Sequence, residues 1–365
     1  MSFLKKITKD LSGLKTIVLS VILLNLISII SLYSSLHQQG QFMGEGFISK
    51  QLIWIALSWI IFIIFNFINY RLYYNLSFLI YAFSVILIGV VYFTGHTAMG
   101  AQRWISVGGF TFQPSELSKL AIIIIMARFF SHPPTHNFLK DFCLPFSFVG
   151  LSAFIILNQP DLGTAIMVVL IAFCIGLFSK INKKYFILIL AGLLITAPLG
   201  WNFLKSYQKK RLTAFINPSV DPLGSGYTII QSKIAIGSGQ LFGKGFLAGT
   251  QNQFNFLPER HTDFIFTVIA EEWGFLGSFF LLFLYWLILR KIFDRLKKIR
   301  DPFAYYLTLG IGIYFFLHIF INIGMTLGIF PVVGLPLLFI SYGGSHLISS
   351  FILLGIFFNI SRNYK

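Results

Sequence analysis

Charge is scarce in this chain. Asp, Glu, Lys and Arg together make 11% of its 365 residues, against about 25% in an ordinary soluble domain. A water-facing surface cannot be built from so few, which excludes a soluble globular enzyme and a disordered chain. Acid is scarcer still: 12 Asp and Glu stand against 28 Lys and Arg. There are two cysteines, Cys143 and Cys174, each inside an apolar run, so a disulfide-built secreted module is excluded and both read as small buried hydrophobes. No 20–50-residue repeat is visible. What is there instead is apolar bulk: 56% of the residues are hydrophobic and 43 are Phe. The formal charge of +16 lies in short clusters between apolar runs, a pattern that suits a membrane and not a nucleic acid. The composition specifies an all-α integral membrane protein.

A helix needs about 20 mostly apolar residues to cross the hydrocarbon layer. Ten stretches qualify as spans, at 14–36, 51–68, 72–94, 115–131, 142–158, 162–178, 185–204, 264–289, 303–327 and 336–360. They are unbroken runs and not alternating ones, so a β-barrel is excluded. The first follows Lys5, Lys6 and Lys9 with no small-residue cleavage pattern after it, and is expected to be a retained span. Together they define a single domain, 1–365, a bundle of about ten transmembrane helices with one large extracytoplasmic loop, 201–263, between the seventh and eighth. If the N-terminus is cytoplasmic, 18 basic residues fall on the inner side and only Lys50, Arg103 and Lys119 on the short outer loops and their helix ends. Long loops escape the positive-inside bias, so the count predicts both termini in the cytoplasm.

Eight of the twelve carboxylates then collect toward the outer side: Glu45, Glu116, Asp161, Asp221, Glu259, Asp263, Glu271 and Glu272. Lys205, Lys209, Lys210, Arg211, Lys233, Lys244 and Arg260 lie on the same side. Ionisable groups within spans are costly and usually face a bundle interior or a wet cavity, so a polar outer cavity that holds an anion and moves a proton is expected. Within the long loop, Tyr207 to Phe215 reads as a basic amphipathic helix on the bilayer surface, and the Gly-rich stretch Gly224–Gly249 as a flexible loop. Gly237-Ser-Gly-Gln-Leu-Phe-Gly-Lys-Gly245 lacks the Gly-Lys-Ser/Thr ending of a phosphate loop.

Three strings carry the most chemistry. In Leu257-Pro-Glu-Arg-His-Thr-Asp-Phe-Ile-Phe266, Thr262 is a potential helix cap and Asp263 falls near the first turn of the eighth span, as a capping carboxylate or a catalytic one. His261 is a base, an orienter or a solvated loop residue, and Glu259 stands beside it. In Gln113-Pro-Ser-Glu-Leu-Ser-Lys119, Glu116 and Lys119 share a helix face and can pair. Asn158-Gln-Pro-Asp-Leu-Gly-Thr164 is a tight turn in which Asp161 stabilises the backbone. Ser131-His-Pro-Pro-Thr-His136 spaces two His four apart, but the double proline denies them one helix face.

Taken with Gln102-Arg-Trp-Ile105, Gln159-Pro-Asp-Leu-Gly-Thr-Ala165, Asp221-Pro-Leu-Gly-Ser-Gly-Tyr227 and Phe339-Ile-Ser-Tyr-Gly-Gly-Ser345, these strings resemble the SEDS family of peptidoglycan glycosyltransferases, in order and spacing over nearly the whole chain. Gln102 before Arg103, Arg260 after Glu259 and a short N-terminal tail resemble its elongation branch more than its division branch. Two departures are visible: Pro336-Leu-Leu338 lacks a second proline, and His346 replaces a small residue. The resemblance implies polymerisation of lipid II into glycan strands during cell elongation, on the outer face of a bacterial cytoplasmic (inner) membrane. It maps the family's essential aspartate onto Asp263, the general base of an inverting transfer with undecaprenyl diphosphate leaving. Arg103, Lys119 and Arg211 are the candidate diphosphate contacts, with Glu116 holding Lys119 and Trp104 stacking on a sugar or anchoring at the interface. An ordinary carboxylate, with a pKa of about 4, is a weak base, and partial burial is the means to strengthen it. Expected partners are lipid II, membrane lipids, a class B penicillin-binding transpeptidase and other elongation-complex membrane proteins, with no nucleic acid. No cofactor is evident; a divalent cation, Mg or Mn, could assist the diphosphate, although no ligand cluster is visible. The alternative activity is a lipid-linked precursor transporter, since a ten-span bundle with a polar cavity also suits alternating access.

Overall fold

The computed structural model describes residues 2–38, 41–42, 46–94, 96–98, 101–107, 110–203, 206–221 and 224–363. Glu45, Lys205, and Pro222 and Leu223 of the Asp221–Tyr227 string lie outside them. In chain order the helices are α1 (Ser2–Leu36), α2 (Phe47–Phe67), α3 (Tyr70–Asn75), α4 (Ser77–Thr94), α5 (Pro114–Ser131), α6 (Leu144–Asn158, entered through a π-helical turn, Leu139–Cys143), α7 (Leu162–Leu177), α8 (Lys184–Phe203), α9 (Ser206–Ile216), α10 (Ser225–Ser238), α11 (Thr250–Gln253), α12 (Ile265–Leu296), α13 (Pro302–Thr326) and α14 (Gly344–Asn363). Two small antiparallel sheets sit in connections: β1 (His37–Gln38) with β2 (Gln41–Phe42), and β3 (His96–Ala98), β4 (Ala101–Val107) and β5 (Phe110–Phe112) in one meander.

Each of the ten expected spans overlaps a helix. Six of the described helices are long and apolar enough to cross a membrane by length and composition, and Ser77–Val91 and Leu162–Leu177 are shorter apolar helices. The ends have local causes. Asn69 caps α3 by accepting from Arg71 N, Pro114 opens α5 where its missing N–H costs nothing, and Asp161 caps α7 by accepting from Thr164 N at 3.1 Å. Two expectations need correction. The tenth span was placed from 336, but α14 begins at Gly344. Pro331 and Pro336 remove donors, and Gly334 (φ +74°), Phe339 (φ +63°) and Gly343 (φ +144°) turn the backbone. The Gly224–Gly249 stretch was read as a flexible loop, but its first half is the helix α10. Tertiary contacts hold it: Ser232 Oγ donates to Thr326 O at 2.5 Å, and Ala235 packs with Leu257 and Phe264 in a buried cluster. The amphipathic helix expected over 207–215 is present as α9.

The chain, read from sequence as one domain, groups into two compact units. The first comprises residues 1–59, 210–294 and 318–350, and the second residues 60–209, 295–317 and 351–365.

Candidate active site

In the first unit residues 257–264 form a compact turn that leads directly into α12 at Ile265, so Asp263 stands two residues before the helix. Glu259 adopts φ +53°, and its carbonyl accepts from Thr262 N and Phe264 N. Thr262 does not cap α12, as its residue type invited; its hydroxyl donates to Glu259 O at 3.2 Å and to Glu259 Oε2 at 3.1 Å. Arg260 is buried, with Nε donating to Ser35 O at 2.6 Å.

Three successive carbonyls of this turn are captured by the 322–342 region. Tyr342 N donates to His261 O at 3.0 Å, Ser341 Oγ donates to Thr262 O at 2.6 Å, and Asn322 Nδ2 donates to Asp263 O at 2.9 Å. The buried Asn322 amide also donates to Leu335 O at 2.6 Å, and Ser341 Oγ accepts from Leu337 N at 2.8 Å. Gln51 completes the frame, donating to Ser341 O at 3.3 Å and accepting from Gly343 N at 3.3 Å. Asp263 is half-buried beside Gly334, where an added Cβ would lie 3.3 Å from its Oδ2. Gly334 is favoured by its φ of +74°, and a side chain there would crowd the Asp263 carboxylate. Asn322 and Gly334 were missed from sequence because their partner in the turn lies some 60–70 residues away. Ser341 was noticed only inside a matched string.

His261 packs edge-on against Phe47 and against Tyr342, with ring centroids 5.7 and 6.1 Å away. Burial pushes its imidazole below the ordinary value, with the Glu259 carboxylate opposing and the Arg260 charge adding to the fall. It is a neutral ring at pH 7, suited to orienting and hydrogen bonding. Arg211 is half-buried on α9 and, among the described residues, makes no ion pair.

The other candidates belong to the second unit and are engaged there. Lys119 is fully buried, with Nζ 2.7 Å from Glu116 Oε1 and 5.5 Å from the centre of the Tyr314 ring. Arg103 donates to Gln159 O at 3.0 Å and to Pro160 O, and pairs with Asp161 at 3.7 Å. Asp161 Oδ2 also accepts from Gln113 Nε2 at 2.9 Å and Ser115 Oγ at 3.4 Å. Trp104, on β4, is half-buried. The structure thus joins Glu116 to Lys119 as the spacing predicted and gives Asp161 its turn role. Lys119, fully buried against Glu116, reaches a diphosphate only if that pair opens, whereas the guanidinium of Arg103 is partly exposed. Among the described residues no group of three or more His, Cys, Asp or Glu side chains could hold a metal ion.

A many-spanning helical protein with buried ion pairs and a rigid acidic turn is the class that fold and site define. The profile of the cell cycle protein family that joins FtsW, RodA and SpoVE matches residues 14–365, and the chain belongs to that family. The peptidoglycan glycosyltransferase MrdB of Escherichia coli K12 is 39% identical over 323 residues, covering 88% of this chain and 87% of its own. The peptidoglycan glycosyltransferase RodA of Treponema pallidum is 29% identical, with 94% and 96% covered. Among solved structures, a chain of a peptidoglycan synthase complex that coordinates polymerization and crosslinking superposes with a TM-score of 0.82 at 27% identity, covering 95% and 97%. The rod shape determining protein RodA of Thermus thermophilus gives 0.71 at 25%, covering 95% and 96%. The chain is a multi-pass bacterial membrane protein.

Proposed function

We propose that this chain is a peptidoglycan glycosyltransferase of the elongation type, which polymerises lipid II with Asp263 as general base. The 4-hydroxyl of an acceptor GlcNAc attacks the anomeric carbon of a donor MurNAc. Its proton passes to the Asp263 carboxylate as the new C–O bond forms. The bond to the diphosphate breaks with its electron pair leaving on undecaprenyl diphosphate, and α is inverted to β. General-base assistance of this kind is worth about 10²–10⁴ in rate. The observation that supports the reading is the capture of the His261, Thr262 and Asp263 carbonyls, which holds the backbone that carries the carboxylate in one place. Neutral His261 orients the turn, and Glu259 buttresses it through Thr262.

In this reading Arg211 is the diphosphate contact. Arg103 and Lys119, expected from sequence in the same role, hold the frame of the second unit through Asp161 and Glu116. In this reading the site faces the extracytoplasmic side and both termini the cytoplasm, supported by the distribution of basic residues. A class B penicillin-binding protein crosslinks the product strands. The test is reconstitution of the purified protein in liposomes with labelled lipid II. Glycan polymer supports the reading. Translocated but unpolymerised lipid would make the chain a transporter, and neither product would leave it a scaffold.

A further inference from the structure

The irregular segment 239–249 is bonded to a break in α12. Gly274 has φ +63° and ψ −156°, which interrupts the helix. The carbonyls of Glu271 and Glu272 accept from Lys244 N and Gly245 N, each at 3.0 Å, and the amides of Phe275 and Leu276 donate to Gln240 O at 2.8 Å and Leu241 O at 3.1 Å. Gly239 and Gly243 make this approach possible, because a Cβ on either would collide with the carbonyl of Ala270 or Glu272. Lys244 adds no bare charge: its ammonium lies 2.7 Å from Glu271 Oε1 and 2.8 Å from Thr250 Oγ1.

The surroundings of α12 change at the same place. From Ile265 to Glu272 every residue is buried, whereas Phe275, Leu276, Phe279 and Phe280 are exposed. The apolar band from Phe275 to Leu289, closed by Arg290 and Lys291, is 15 residues long. At 1.5 Å per residue the exposed face is about 22 Å long, shorter than the roughly 30 Å of hydrocarbon, and the rest of α12 toward Ile265 is covered by protein. At its short end, bonded to Phe275 and Leu276, stand Leu241, Phe242 and Phe246, with Phe242 75% exposed.

We propose that segment 239–249 is seated in the bilayer, with Leu241, Phe242 and Phe246 among the acyl chains of the leaflet at the Gly274 end of α12, completing that band. Non-helical backbone is tolerated at membrane depth only where its polar groups are bonded to protein, and here the helix break supplies those bonds. The continuity with a lipid-facing helix surface and the neutralised Lys244 favour lipid over water or a polar partner. The seat fixes the level of the buried half of α12, and of the turn that precedes it, against the membrane surface.

The test uses the full chain with Cys143→Ala and Cys174→Ala, spin-labelled at Phe242→Cys and reconstituted in phosphatidylethanolamine–phosphatidylglycerol vesicles. Relaxation by oxygen, which partitions into lipid, is compared with relaxation by a water-soluble nickel chelate. Phe279→Cys is the lipid reference and Ser219→Cys the aqueous one. The expected oxygen-to-nickel ratio at 242 matches that at 279 and exceeds that at 219 by about tenfold, as partitioning into hydrocarbon requires. A ratio like that at 219, or protection from both reagents as under a protein partner, overturns the proposal. Phe246→Cys serves as the second reporter if Phe242→Cys does not fold.

Discussion

The turn at 257–264 in the first unit and the ion-paired region around α5 in the second are held by different kinds of group. In the second, Lys119 and Glu116 neutralise each other in the interior, and Arg103 and Asp161 stitch the turn at Gln159–Pro160 to the start of α5. In the first, the turn at 257–264 is held through its backbone: Tyr342, Ser341 and Asn322 take its carbonyls in succession. Holding the backbone places the turn through amide, hydroxyl and carboxamide donors where the second unit uses ion pairs.

That contrast breaks if an ion-pair mutation and a turn mutation give the same phenotype. The largest effect on folding is expected from Lys119→Met, which leaves Glu116 buried without its cation and costs about 3–5 kcal/mol. Thermal unfolding in detergent should show it, and adding Glu116→Gln should recover most of the loss. Next comes Asn322→Ala, which removes the donor to both Asp263 O and Leu335 O. A loss of about 1–3 kcal/mol in positioning corresponds to a kcat lowered by about 5- to 150-fold. KM for lipid II should be unchanged, since Asn322 donates to backbone carbonyls of the turn; a raised KM at constant kcat would move Asn322 from positioning to binding.

The smallest effect is a pH dependence. His261 has a folded pKa below its unfolded value of 6.5, so below about pH 6.5 the unfolded chain binds more protons. His261 therefore subtracts nothing above that range, and stability falls as pH drops through it. His261→Gln should flatten the acid-side fall in melting temperature; an unchanged slope would mean that the ring is not buried as described.

Much of this was legible in the sequence and some was not, for physical reasons. Ten apolar runs announce ten helices because lipid imposes one rule on length and composition. The pairing of Glu116 with Lys119 follows from helical spacing alone. The break at Gly274 was hidden, since Trp273-Gly-Phe275 sits inside a run whose apolar character does not change. Helix α10 was hidden for the opposite reason: Gly226, Gly237 and Gly239 look like loop, but Ser232 and Ala235 are fixed by residues far along the chain. The scaffold behind Asp263 depends on Asn322, Gly334 and Ser341, and no local pattern announces a contact across such distances.

The central claim is that Asp263 takes the acceptor's proton. Its most direct test is Asp263→Asn, which keeps the size of the side chain and removes its basicity. With the purified protein in liposomes, lipid II polymerisation should fall by at least about 10²-fold, while lipid II binding and the melting temperature stay near wild type. Polymerisation at the wild-type rate would contradict the account.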